Sequence, residues 1–241
     1  MKKYNKKTDV EYLLNNCMIL CTGPSFGRAA MLKSITEKDM GLIPFKKIFL
    51  STNDSNNLKI RFNGKKPVCE LIPCKDKQLD CLNCIISSIK NAVNDPDSDP
   101  DDIIVFKHES VYVSDMHLVK KAIGKILDGY DGVFKYWIGF DNQQTKYLKD
   151  YYHTDSFYIK VSAAKPIFSN LSLIKWFTKD YQFCEEYLTK CIVSKLPNVF
   201  KIDYHHSSWK DNELGFFHIG NYEEDPDWYW DKKNYNELYQ T

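Results

Sequence analysis

The sequence predicts an α/β domain in which a mainly parallel, mixed central sheet is flanked by helices on both faces. Three observations carry that prediction. Strand-like and helix-like segments alternate through the first 137 residues, two segments carry apolar residues at helical spacing, and between those two lies Asp101–Asp115, DDIIVFKHESVYVSD. The apolar run in that segment ends abruptly at His108, Glu109 and Ser110. A strand with no polar alternation is buried on both faces, and alternating strands and helices build a parallel sheet. Open sheets of this kind hold their chemistry beyond the carboxyl ends of the strands, so HES is where a site is expected.

In chain order, Cys17–Thr22 reads as the first strand, followed by a turn at Gly23–Gly27 and a helix through Met31 and Ile35. Lys46–Ser51 is a second strand, ending at Thr52, Asn53 and Asp54, and Val68–Ile72 a third. Leu82, Ile85, Ile86, Ile89, Ala92 and Val93 mark an amphipathic helix over Asp80–Asn94. A loop of prolines and acids, Asp95–Asp102, precedes the central strand. Leu118, Val119, Ala122, Ile123, Ile126 and Leu127 mark a second amphipathic helix, for which Asp115 is the expected N-cap. Asp131–Trp137 is a further strand, Phe157–Val161 another, Tyr181–Lys195 a helix, and the chain from Asn198 onward short strands and loops. No repeat or long linker divides the chain, so residues 1–241 read as one domain with a nucleotide-binding half and a smaller half shaping a second pocket.

With 33 basic and 32 acidic residues, net charge +1, the chain has no general attraction to nucleic acid or an anionic membrane. Only Arg28 and Arg61 are arginine, which further disfavours base or phosphate-backbone recognition. The basic N-terminus, MKKYNKKTDVEYLLNNCMIL, lacks a signal-peptide core, and no segment approaches the length of a transmembrane span. Eight cysteines in such a chain read as reduced thiols, so a cytoplasmic location is expected. Cys69, Cys74, Cys81 and Cys84 are spaced so that a zinc ion could be considered, but they fall on a strand and on a helix start, and ordinary thiols are the preferred reading.

Taken in order, TGPSFGR, LSTND, DDIIVFKHESVYVSD, FCEEYLTK and GFFHIGN resemble a GT-A-fold glycosyltransferase, a family 2-like nucleotide-sugar transferase, over roughly residues 17 to 221. The resemblance implies a GT-A-like fold, with residues 17–137 as the Rossmann-like nucleotide-sugar-binding half, 138–221 as the acceptor and catalytic half, and 222–241 as an aromatic tail. It implies a nucleotide-sugar donor and a glycan or other hydroxyl acceptor. Thr22, Gly23, Pro24 and Arg28 would lie beside the nucleotide, Asn53 or Asp54 against its base or ribose, and Lys75, Lys77 or Asp80 along its edge. TGPSFGR reads equally well as a plain strand-to-helix turn, and LSTND as an Asx turn.

The family holds a divalent metal, Mn²⁺ or Mg²⁺, on a DxD-like motif, and here this chain departs from it. HES offers Glu109 as one ligand, with His108 beside it, but Ser110 cannot replace a carboxylate. A metal-independent reaction in which a lysine or histidine neutralises the diphosphate is the alternative, as is a domain without catalysis. The resemblance assigns His218, in GFFHIGN, to the metal or diphosphate, with Gly215 and Gly220 allowing close backbone approach. Glu185 and Glu186 are the candidates for general base, and since adjacent helical residues point about 100° apart, one of them faces a cleft, Glu185 being preferred. The plain reading is an acidic first turn complementing a helix dipole. The competing enzyme class is a nucleotidyltransferase making an activated sugar, because GPSFGRAAMLK faintly resembles a phosphate loop. The competing non-enzymatic reading is a nucleotide- or glycan-binding module.

Overall fold

A computed structural model describes residues 6–23, 29–73, 76–138, 150–181, 184–204 and 214–218. Its elements, in chain order, are α1 (Lys6–Asn16), β1 (Met18–Thr22), α2 (Ala29–Leu42), β2 (Lys47–Thr52), β3 (Val68–Leu71), α3 (Lys77–Asn94), β4 (Ile103–Lys107), β5 (Val111–Val113), α4 (Met116–Leu127), β6 (Gly132–Ile138), β7 (Asp150–Lys160), α5 (Val161–Phe168), α6 (Cys184–Tyr187), β8 (Val199–Tyr204) and β9 (Phe216–His218). Seven strands form one sheet in the order β3-β2-β1-β4-β7-β6-β8, and β5 pairs with β9 in a separate ribbon. β1, β2, β3 and β4 are mutually parallel, β6 and β8 are parallel, and β7 runs against both β4 and β6. This is the mainly parallel mixed sheet that the sequence predicts.

Every residue of β1 and β4 is buried, as their unbroken apolar sequences require. Alternate residues enter opposite cores. Ile19, Cys21, Ile104 and Phe106 pack with α3, α5 and α6, whereas Met18, Leu20, Ile103 and Val105 pack with α1, α2 and α4. Helices therefore cover both faces. Among the described residues, no helix is long and apolar enough to cross a membrane.

Local chemistry fixes the helix starts. Asp76 accepts from the backbone N–H groups of Gln78 and Leu79, both at 3.0 Å, so α3 begins three residues before the apolar stripe suggests. Asp115 caps α4 in the same way, accepting from His117 at 2.8 Å and Leu118 at 3.3 Å, as expected from its position. Three parts differ from the sequence reading. β7 extends back to Asp150, well before Phe157. α1 and α5 form without having been expected, α1 packing Leu13 and Leu14 under the sheet. The expected helix Tyr181–Lys195 is instead the short α6, a π-helical turn at Leu188–Ile192 and a 3₁₀ turn at Val193–Lys195. Within that broken segment the Thr189 hydroxyl both donates to the Glu185 carbonyl and accepts from the Tyr152 backbone N–H, each at 2.8 Å. Tertiary bonding to β7 thus competes with regular helix geometry there.

The chain runs outward from β1 to β2 and β3, then returns to lay β4 on the other side of β1. β1 and β4 end level with one another, Thr22 opposite Lys107. Because β7 is antiparallel to β4, its early residues reach the same edge, where His108 donates its backbone N–H to the Asp155 carbonyl at 3.0 Å. Open α/β sheets bind ligands at such reversals of strand order, here between β1 and β4.

Candidate active site

Gly23 closes β1 with φ +138°, and a Cβ there would stand 1.8 Å from the Ser51 carbonyl oxygen. Glycine is required because β2 passes too close for any side chain. Thr22 beside it is fully buried, and its hydroxyl finds no hydrogen-bond partner among the described residues. Pro24 and Arg28 lie outside the described residues, as do Lys75, the side chain of Lys77, and Gly220.

At the end of β2, LSTND folds as an Asx turn: Asp54 accepts from the Asn56 N–H at 2.9 Å and caps a short 3₁₀ turn. Thr52 Oγ1 underpins it, accepting from Asp54 N–H at 3.1 Å and Asn57 Nδ2 at 2.9 Å. Asn53 turns toward α3, its amide nitrogen 3.4 Å from Asp80 Oδ2, and Asp80 is fully buried. Asn53 and Asp80 are thus brought together, while Asp54 commits one oxygen to the Asn56 N–H.

HES follows β4 in a turn closed by the Val111 N–H donating to the His108 carbonyl at 3.1 Å. Glu109 and Ser110 are both buried. His108 points to the α3 side and is partly exposed, with Nε2 3.1 Å from Cys81 Sγ. Burial lowers the imidazole's affinity for a proton, but the negative charge and hydrogen bond of Cys81, with Glu109 and Asp155, outweigh it and raise its pKa to about 9. The hydrogen bond from Cys184 holds the Cys81 thiol down to about 6 against burial, with the His108 charge acting in the same direction. Each group thus favours the charged form of the other.

Glu185 stands next to this pair. Its Oε1 accepts from the Thr154 hydroxyl at 2.9 Å, and its Oε2 lies 3.0 Å from Cys184 Sγ. Gln78 Oε1, in the first turn of α3, accepts the Cys184 backbone N–H at 3.3 Å and lies 2.9 Å from its sulfur, fixing the start of α6 against α3. Hydrogen bonding to Cys81, burial and the Glu185 carboxylate push the Cys184 thiol well above its ordinary value. Glu186 points elsewhere and pairs with Lys190 at 2.6 Å. Behind the site, Lys135 and Asp155 pair at 2.9 Å, and burial lowers the pKa of His153, whose Nδ1 is 3.8 Å from Asp155 Oδ1.

β9 sets the backbone of His218 opposite Val111, just beyond HES, but the His218 side chain lies outside the described residues. Gly215 serves packing: with φ +81°, a Cβ would stand 2.5 Å from the Asp115 carbonyl oxygen. Among the described residues, no group of three or more His, Cys, Asp or Glu is arranged to hold a metal. The structure thus gathers Asn53, Asp80, His108 and Glu185 of the sequence candidates along one sheet edge. Gln78, Cys81, Thr154 and Cys184 were missed as partners. Gln78 and Cys81 lie one turn apart in a helix start that also carries Lys77, Asp80 and Asn83, so nothing in the sequence set them apart.

The architecture is a GT-A-like α/β fold. Among solved structures, the chain is similar to the 4-diphosphocytidyl-2C-methyl-D-erythritol synthase of Anaerococcus prevotii, with TM-score 0.52 and 10% identity over 91% of this chain and 94% of that one. It is also similar to a glycosyltransferase involved in glycosylation of the major capsid of PBCV-1, with TM-score 0.46, 13% identity, and 85% and 95% of the two chains covered. A third is CMP:2-keto-3-deoxy-manno-octonic acid synthetase complexed with CTP, at 0.47, 8%, 78% and 89%. At these identities the likeness is one of fold. No family model and no curated protein sequence matches the chain.

Proposed function

We propose that this chain is a cytoplasmic nucleotide-dependent transferase that moves a sugar from a nucleotide-sugar donor to a glycan or other hydroxyl acceptor, with inversion. The observation that carries the reading is the Glu185 carboxylate, held by Thr154 at the crevice edge while Glu186 is turned to Lys190. In this reading the nucleotide lies over Gly23 and beside Asn53 and Asp80, in the half formed by residues 17–137, and the acceptor enters from the half formed by residues 138–221. Glu185 takes the acceptor hydroxyl's proton as that oxygen bonds to the anomeric carbon and the nucleotide leaves. His108 supplies a cation at the crevice. Mn²⁺ or Mg²⁺ belongs to the proposal only through Glu109, and since the described residues form no metal shell, no step is routed through a cation.

A second reading, nucleotidyl transfer to make an activated sugar, is favoured by the likeness to the A. prevotii synthase over nearly its whole length. The product separates the two: nucleotidyl transfer releases pyrophosphate from a nucleoside triphosphate, whereas glycosyl transfer releases a nucleoside diphosphate or monophosphate. The test is a thermal-shift panel of nucleotide sugars, nucleoside diphosphates and triphosphates, each with and without Mn²⁺ or Mg²⁺, followed by turnover of whichever ligand stabilises the fold. Stabilisation by one diphosphate and its sugar conjugate is expected, with Glu185→Gln retaining that stabilisation and losing turnover by ~10²–10⁴-fold. A triphosphate preference with pyrophosphate release replaces this reading with the second, and silence across the panel favours a binding module.

A further inference from the structure

The segment that joins α5 to α6 is pinned along the length of α3. Asn94 donates to the Ser169 carbonyl at 3.5 Å and Lys90 to the Leu171 carbonyl at 3.0 Å. Asn83 then clamps Ile174 with two bonds, donating to its carbonyl at 2.9 Å and accepting its N–H at 2.7 Å, and Gln78 accepts the Cys184 N–H at 3.3 Å. The segment therefore runs antiparallel to α3, toward the helix end where Asp80 meets Asn53 and Cys81 meets His108. Leu171, Ile174 and Phe177 pack inward against the core. Trp176, between two of these anchors, is instead 66% exposed, more than any other large apolar side chain among the described residues.

These anchors also locate the indole. Trp176 is two residues beyond the clamped Ile174, a reach of at most ~7 Å, and Asn83 and Gln78 lie ~7.5 Å apart along the helix axis. Glu185 follows Cys184 directly, so Trp176 stands on the same flank of α3 as Glu185, within the half assigned to the acceptor. An indole held in water forfeits the stabilisation that its burial would give, and here the backbone carrying it is fixed on both sides. A protein partner would need ~800 Å² on this side, whereas one indole offers ~250 Å² at most and Leu173, 37% exposed, is its one apolar companion on the segment. A single flat ring suits a ligand of its own size. The indole face is electron-rich, and a pyranose ring presents a face of polarised C–H groups that complements it. We propose that Trp176 is a sugar-binding platform that stacks on a ring of the acceptor away from the hydroxyl taken up by Glu185, so that the acceptor is an oligosaccharide rather than a simple alcohol. The role given to Glu185 rests on the glycosyl-transfer reading; the platform itself rests on Trp176 and its pinned segment.

The test is oxidation of the intact chain by N-bromosuccinimide, mapped tryptophan by tryptophan with mass spectrometry, in the presence of the tetrasaccharides of cellulose, starch, mannan and chitin and of their single sugars. The expected result is that one tetrasaccharide slows oxidation of Trp176, while its single sugar at equal concentration does not. By calorimetry, Trp176→Ala is expected to weaken binding of that tetrasaccharide at least ~10-fold, with Trp176→Phe recovering part of the loss. Absence of protection by every tetrasaccharide overturns the proposal, as does equal protection by a single sugar or protection by a nucleotide alone. The wild-type measurement decides this even where a variant does not fold. A donor that turns over while Trp176 stays unprotected removes the platform and leaves glycosyl transfer standing, whereas protection alongside a silent nucleotide panel keeps the platform and removes the transferase.

Discussion

Lys107 and His108 are adjacent at the end of β4, yet they lead into two polar clusters of opposite character. Lys107 enters the α2 side, where its ammonium lies 3.0 Å from Asp39 Oδ2 and donates to the Val111 carbonyl at 2.8 Å. Asp39 Oδ1 accepts from the Val113 N–H at 2.8 Å. Both charged side chains are essentially sealed from water, at 0% and 2% exposure, so this pair staples α2 to both ends of β5. His108 enters the α3 side, where Cys81 meets it at a partly exposed crevice. The difference teaches that the same strand end can hold one polar pair sealed in the core and another near the surface, and that a sealed pair can only hold position.

Burial leaves its mark on Asp39, whose pKa is pushed above the ordinary carboxylate value by burial despite the opposing charge of Lys107. The pair is therefore expensive to break and inexpensive to replace whole. Asp39→Ala leaves Lys107 buried without its carboxylate, and a loss of ~3–5 kcal/mol is expected in urea unfolding. The double substitution Asp39→Leu with Lys107→Met is expected to recover most of it. If the single change costs less than ~1 kcal/mol, water reaches Lys107 and the contrast between the two clusters collapses.

A smaller effect separates the clusters by pH. The Cys81 pKa is depressed, so its thiolate persists above, and is lost as pH falls through, about 6. The His108 pKa is raised, so its imidazolium is lost only as pH rises through about 9. Both charges coexist between those limits. Alkylation of Cys81 by iodoacetamide should therefore change less than ~2-fold between pH 8 and 6.5, where a thiol titrating near 9 slows by ~30-fold. A Cys81 profile that falls in parallel with those of Cys17 and Cys69 would remove the ion pair. The smallest effect belongs to the surface: Lys120 and Glu11 meet at 2.6 Å but are 41% and 44% exposed, so Lys120→Ala should cost under ~1 kcal/mol. A larger loss would mean that α1 depends on that contact for its seat on α4.

Most of the fold was legible because its signals are local. The unbroken apolar runs of β1 and β4, the apolar stripes of α3 and α4, and the Asp115 cap each depend on a few consecutive residues. The expected helix Tyr181–Lys195 failed because Thr189 is bonded to Tyr152 of a distant strand, which no local window contains. Parts of the candidate cluster were also singled out from the sequence. His108 and Glu185 stood out as polar residues at the ends of apolar elements, and the argument that only one of Glu185 and Glu186 faces the crevice agrees with the pairing of Glu186 to Lys190. Cys81 was read as an ordinary thiol, because its meaning comes from His108, 27 residues away, and from Cys184 across the chain.

By itself, then, the sequence determined the parallel sheet and its two-sided burial, because periodicity, caps and apolar runs are set by backbone geometry over a few residues. Only the tertiary structure decided that Lys107 is scaffold while Cys81, His108, Cys184 and Glu185 form one cluster. Contacts between residues so far apart follow from how β7 and α6 dock against β4 and α3, and burial and charge acquire their values only after that docking.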